Sequence, residues 1–92
     1  MLAEDDRFAP ADSISWNDAG EELTLFDSAR GSYFALNGAA VAIWREFAAG
    51  RSVGEAIASL TAHFNCPSDT IAGDIALFVR AALDRHLIVA RG

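Results

Sequence analysis

Three side chains in this sequence belong to the types most often recruited for catalysis or metal binding: His63, Cys66 and His86. Cys66 follows His63 by three residues, a spacing that can place both on one helical face, and a thiolate beside an imidazole serves as a nucleophile and base or as half of a metal site. The remainder of such a site is missing. A structural zinc needs four ligands, a nucleophile needs an oriented base, and Pro67 takes Cys66 out of the helix that would carry His63. The pair therefore reads as a loop cysteine and a solvated histidine. The thirteen Asp and Glu residues are scattered, without a D-x-D or E-x-x-H cluster at metal-ligand spacing. The seven glycines fall at turns, at helix ends or singly in helices rather than in a phosphate-binding loop. The expectation is a chain that is not an enzyme and needs neither a metal nor a cofactor.

The chain that must position these residues has 92 of them, enough for one domain with a modest core. Its composition, 52% hydrophobic and 22% charged, is that of a globular protein and too apolar for a disordered one. The net charge is -6 and all seven basic residues are arginine, so the electrostatic term that drives binding to phosphate backbones has the wrong sign and no nucleic acid partner is expected. One cysteine excludes an internal disulfide and fits a reducing compartment. No stretch approaches the roughly 20 apolar residues that span a bilayer, and the acidic start MLAEDDRFAPADS lacks the form of a signal peptide. These features predict a cytoplasmic chain with no membrane partner.

Residues 1–12 carry Glu4, Asp5, Asp6 and Asp12 with Pro10 and no periodicity, and read as a mobile N-terminal segment ahead of a domain over residues 13–92. Three strand-length segments follow, SISWN, ELTLFD and SYFAL, separated by hairpin-length intervals in which Gly20 and Gly31 can supply positive φ. The pattern turns helical at Asn37, a plausible N-cap. A first helix is expected over Gly38 to Ala49, with Ile43, Trp44 and Phe47 inward and Gly50 ending it. Ser52 and Glu55 form a capping box for a second helix through Val53, Ala56, Ile57, Leu60 and Phe64. After Cys66 and Pro67, Ser68 is placed to cap a third and longest helix with Ile71, Ile75, Phe78, Val79 and Ala82 inward, followed by a short apolar tail, Leu87 to Val89. The fold class is α+β: a three-stranded antiparallel N-terminal sheet followed by three helices. A winged DNA-binding domain usually places its wing after a recognition helix with basic or amide residues near its start. Here the strands come first and the third helix begins with Asp69 and Asp74, which weighs against the alternative of a winged-helix transcription regulator.

The strand SYFAL is unusually apolar for a sheet margin. If Phe34 and Leu36 face the core, alternation turns Tyr33 away from it. Tyr33 then either packs on the second face of the sheet or belongs to an edge strand left open to receive another strand. An open edge also permits two copies to pair, so a homodimer is within reach.

Taken in order, the segments LTLFDSARGSYFALNGAAVAIWREFAAGRSVGEAI and DIALFVRAALDRHLI resemble the PqqD-like proteins, the leader-peptide recognition elements of ribosomally made, post-translationally modified peptides. The resemblance covers about Trp16 to Ile88 and rests on Phe34, Leu36 and Asn37, on Ile43 and Trp44, on Gly50 to Val53, and on Asp74 with Phe78. It implies a winged-helix-like fold without catalytic activity. A precursor leader peptide would add as a strand beside SYFAL and lie against the third helix. Carried over by position, Ser32, Tyr33, Phe34, Ala35 and Leu36 would form one wall, and Ile71, Asp74, Leu77, Phe78 and Arg80 or Ala81 the other. The implied partners are a precursor leader peptide and a separate leader peptidase, cyclase or radical enzyme. The YFALN-type strand is nearer to stand-alone recognition proteins of lasso-peptide and similar pathways than to the coenzyme PQQ pathway. Two positions depart from the family pattern: His86 stands where glycine is usual before the final Leu-Ile, and Ala82 replaces a larger apolar residue.

Overall fold

The computed structural model describes residues 2–91. Five strands and three helices follow in the order β1 (Arg7–Pro10), β2 (Ile14–Asp18), β3 (Glu22–Asp27), β4 (Ser32–Asn37), α1 (Ala39–Ala48), α2 (Val53–Phe64), α3 (Ser68–Asp84) and β5 (Ile88–Arg91). Strands β2, β3 and β4 form an antiparallel meander in that spatial order, and β1 pairs with β5 in a second, two-stranded sheet. The three helices pack over the inner face of the meander around Leu23, Leu25, Trp44, Phe47 and Ile75, each essentially without solvent contact.

Both turns of the meander have local causes. At the first, Gly20 takes φ 88° and its N–H donates to the Asp18 carboxylate at 3.1 Å. Arg45, reaching over from α1, donates through Nε to the same carboxylate at 2.7 Å and so ties helix to hairpin. At the second, the Gly31 N–H donates to the Asp27 carbonyl at 2.7 Å with Gly31 at φ 66°, a conformation that favours glycine. The Asp27 carboxylate is buried there, accepting from the Ala29 N–H at 3.0 Å and from Arg30 Nη1 at 3.3 Å. Burial pushes its pKa up, but hydrogen bonds from the Ser13 hydroxyl, the Ala29 N–H and Arg30 outweigh that and hold it below the ordinary value.

The helices begin and end for equally local reasons. Ser52 and Glu55 close the expected capping box, with the Glu55 N–H donating to Ser52 Oγ at 3.2 Å and the Ser52 N–H to Glu55 Oε1 at 2.8 Å. Asn65, at φ 53°, turns the chain out of α2. Two caps differ from the sequence expectation by one residue. Gly38, at φ 59°, rather than Asn37 precedes α1, and Pro67 rather than Ser68 precedes α3, so neither helix has a side-chain cap. Gly38 enters its helix through a positive φ that favours glycine, and Pro67 enters through an extended conformation with φ -58°, where a hydroxyl or amide cap was expected.

Part of the lead-in expected over residues 1–12 is regular structure packed on the domain. Arg7–Pro10 is a strand registered against β5, Arg7 opposite Arg91 and Phe8 opposite Ala90. The Phe8 ring is buried and meets Phe47 edge-on, ring centroids 5.6 Å apart. The carbonyls of Asp6 and Glu4 accept from the Val53 and Gly54 N–H groups, both at 2.8 Å, satisfying donors that the first turn of α2 leaves free. A buried aromatic ring and two sets of backbone bonds hold residues 4–10 in place. The expected apolar tail, Leu87 to Val89, is correspondingly the start of a paired strand, with Leu87 and Ile88 in the core. The first expected strand, SISWN, is shifted by one residue to Ile14–Asp18.

Candidate functional site

Strand β4 has β3 on one side and no strand of the described residues on the other. Two bonds fix which of its backbone groups face outward. The Ser28 N–H donates to the Ser13 carbonyl at 3.0 Å, and the Ala19 N–H to the Glu22 carbonyl at 2.9 Å. With the register joining Ser15 to Phe26 and Asn17 to Thr24, the hydrogen-bonded pairs toward β2 fall on Glu22, Thr24, Phe26 and Ser28. Alternation in an antiparallel ladder turns the backbone groups of Leu23, Leu25 and Asp27 toward β4, where they meet Leu36, Phe34 and Ser32. The N–H and C=O groups of Tyr33, Ala35 and Asn37 therefore point away from the sheet, along the open edge.

The side chains alternate in step. Phe34 and Leu36 are half-buried against the core, whereas Tyr33 is 72% exposed on the outer face, its ring 4.7 Å from that of Phe26. The Tyr33 side chain thus packs on the second face of the sheet, while its backbone groups point along the unpaired edge.

Helix α3 presents two stripes. Ile71, Ile75, Val79 and Ala82 are buried. Asp74, Phe78, Ala81 and Arg85 recur at the same helical spacing one step round; Phe78, Ala81 and Arg85 share a cavity with β4, and Asp74 shares one with the start of α1. Two cavities lie along this cleft. One, of about 290 Å³, is lined by Phe34, Ala35, Leu36, Phe78, Ala81, Ala82, Arg85 and Leu87. The other, of about 360 Å³, is lined by Ala39, Ala40 and Ile43 of α1 with Asp74, Leu77 and Phe78. Phe78 belongs to both. Leu77 is 71% exposed, an apolar side chain standing in water at the rim. The Arg85 guanidinium lies over the Phe34 ring, 5.6 Å from its centroid.

The structure thus brings Phe34, Ala35, Leu36, Asp74, Leu77, Phe78 and Ala81 to one cleft. Ser32 and Tyr33 extend the edge without lining either cavity. Ile71 is not brought there: it is 4% exposed and belongs to the core stripe, a fraction of a turn from Asp74. Arg85 and the α1 residues Ala39, Ala40 and Ile43 escaped the sequence reading. Arg85 had a signal, lying four residues beyond Ala81 on the same stripe. Away from the cleft, Cys66 is half-buried and donates weakly to the Phe64 carbonyl at 3.5 Å, and His63 is exposed with its ring against Phe64. Among the described residues no three His, Cys, Asp or Glu side chains are grouped to hold a metal.

An antiparallel meander whose last strand has one unpaired edge, beside an apolar cleft against the longest helix, defines a winged-helix-like α+β module with an open sheet edge. Residues 22–88 match the family described as Coenzyme PQQ synthesis protein D (PqqD), and the chain belongs to that family. Two solved structures share its fold. TbiB1 in complex with the TbiA(beta) leader peptide is 22% identical, with a TM-score of 0.83 over 87% of this chain and 93% of that one. Lasso peptide synthetase B1 complexed with the leader peptide is 24% identical, with a TM-score of 0.81 over 95% of this chain and 99% of that one. Among curated protein sequences there is no match.

Proposed function

We propose that this protein is a non-catalytic recognition element that binds the leader of a ribosomally made precursor peptide by strand addition to β4 and presents the precursor to a separate leader peptidase, cyclase or radical enzyme. The observation that carries the reading is the open edge itself. The outward groups of Tyr33, Ala35 and Asn37 offer a backbone ladder, and the cavities around Phe78 accept alternate side chains of the added strand. The bound peptides of the two solved structures of like fold support it, as does membership of the PqqD family. Tethering a precursor in this way raises its effective concentration at the partner enzyme without any chemistry in the carrier. Its place of action is the cytoplasm, where ribosomal precursors are made; no helix among the described residues is long and apolar enough to cross a membrane. A DNA-binding role is disfavoured by the net charge of -6 and by exposed Asp69 and Asp74 on α3.

Calorimetric titration with the synthetic leader of its own precursor, and in parallel with duplex DNA, tests the reading. Leader binding in the nanomolar to micromolar range, about -8 to -12 kcal/mol, is expected, with negligible heat from DNA. Salt-sensitive DNA binding without leader binding overturns it.

A further inference from the structure

The two ends of the cleft carry opposite charges, and neither is neutralised by an ion pair among the described residues. Arg85 and Asp74 take part in none of the ion pairs among the described residues, which join Arg7 to Glu55, Arg30 to Asp27, Arg45 to Asp18 and Arg51 to Glu46. Both side chains are exposed, and each borders one of the two cavities. Arg85 is also oriented: its guanidinium rests on the Phe34 ring, so its donors sit at the mouth of the cavity. Asp74 lies across from the start of α1, where β4 ends. Helix α3 therefore runs counter to β4, with Arg85 beside Phe34 and Asp74 at the far end.

We propose that Arg85 and Asp74 select the peptide by charge and fix its direction: the bound strand carries a carboxylate side chain at Arg85 and a basic side chain at Asp74, the basic one nearer the peptide's N-terminus. The inference rests on strand addition to β4 and adds to it which side chains the edge demands. Antiparallel pairing is the more stable kind, so the peptide runs from the end of β4 toward its beginning and passes Asp74 before Arg85. Between these two residues α3 rises about 16 Å, about five residues of extended strand, which sets the spacing of the two charges. A peptide entering backwards would set its carboxylate against Asp74 and its cation against Arg85, so the same pair that attracts the correct orientation repels the reverse one.

A displayed library of random peptides, long enough to span the edge, tests this when selected on the full-length protein and on the folded variants Arg85→Glu, Arg85→Lys and Ala35→Pro. Peptides selected on the parent are expected to share an acidic position about five residues C-terminal to a basic one. Arg85→Lys should retain the acidic position, and Arg85→Glu should replace it with Lys or Arg. For a peptide synthesised from the parent's selection, reversing the acidic residue should weaken binding about tenfold or more, and Arg85→Glu should restore it. Peptides that require the Ala35 edge but show no acidic position, or that bind the Arg85→Glu variant unchanged, overturn the charge-selection inference while leaving strand addition intact. Peptides that bind Ala35→Pro as tightly as the parent, or a library that yields no binder, overturn strand addition and this inference with it.

Discussion

Ala35→Pro separates the open edge from the rest of the fold, because the ladder phase puts the Ala35 N–H outside the meander and the Phe34 N–H inside it. Proline at 35 removes one outward donor and leaves every bond between β3 and β4 in place; proline is tolerated on an edge strand in this position. The loss on binding has two parts. One interstrand hydrogen bond contributes about 1 kcal/mol, and the peptide carbonyl left unsatisfied in the cleft costs a further 1–3 kcal/mol or so. A total of about 2–4 kcal/mol raises Kd by roughly 30- to 1,000-fold. Phe34→Pro instead deletes a bond to Leu25 within the sheet and should lower the melting temperature. Fluorescence anisotropy with a labelled leader reads the first effect, and thermal unfolding followed by circular dichroism reads the second. An Ala35→Pro protein that melts with the parent and binds the leader within threefold of it would refute the assignment of the outward groups, and with it the proposed docking edge.

Two further outcomes concern stability. Asp27 has a folded pKa below its ordinary value of 3.8, so the carboxylate's contribution is fully present above that value and is lost as pH falls through the folded one. Melting curves against pH should accordingly show Asp27→Asn less stable than the parent near neutrality and converging with it in acid; parallel curves would show that Asp27 is not the titrating group. His86 occupies φ 60° with its side chain exposed, a conformation that strains a residue with a Cβ. His86→Gly relieves that strain at some cost in unfolded-chain entropy, for a net gain of about 0.5–1 kcal/mol and a melting temperature about 2–8 °C higher. A lower one would reveal a contact made by the imidazole.

The elements that could be read in the sequence are those whose cause is local. Glu22–Asp27 alternates cleanly, Ser52 and Glu55 sit at capping-box spacing, and Ile71, Ile75, Val79 and Ala82 repeat at helical period. The sheet of β1 and β5 was not legible because each strand has four residues, one of them ending on Pro10, and the pairing joins segments about 80 residues apart. No window of sequence contains both halves. The cleft was legible to within a fraction of a helical turn. Ile71 and Asp74 are three residues apart, and only packing decides which stripe faces the sheet and which faces the open edge. Arg85 went unread because its role comes from lying over Phe34, a residue on another element. The departure at His86 was read from the family pattern, and the structure gives its form: α3 ends at Asp84 and the strain falls on His86 itself.

The pairing of β1 with β5 also bears on the order in which the molecule assembles. Arg7 and Arg91 are about 80 residues apart in sequence, so closing that loop carries a large entropic cost that is repaid only once the intervening chain is compact. The hairpin of β3 and β4, with four residues between its strands, closes on the microsecond scale and needs no residue beyond Asn37. On a translating ribosome the two events are separated by the time needed to make the residues from Asn37 to Arg91, more than half of the sequence. The hairpin that bears the open edge can thus form, if only transiently, well before the β1–β5 clasp, which waits until Arg91 is made.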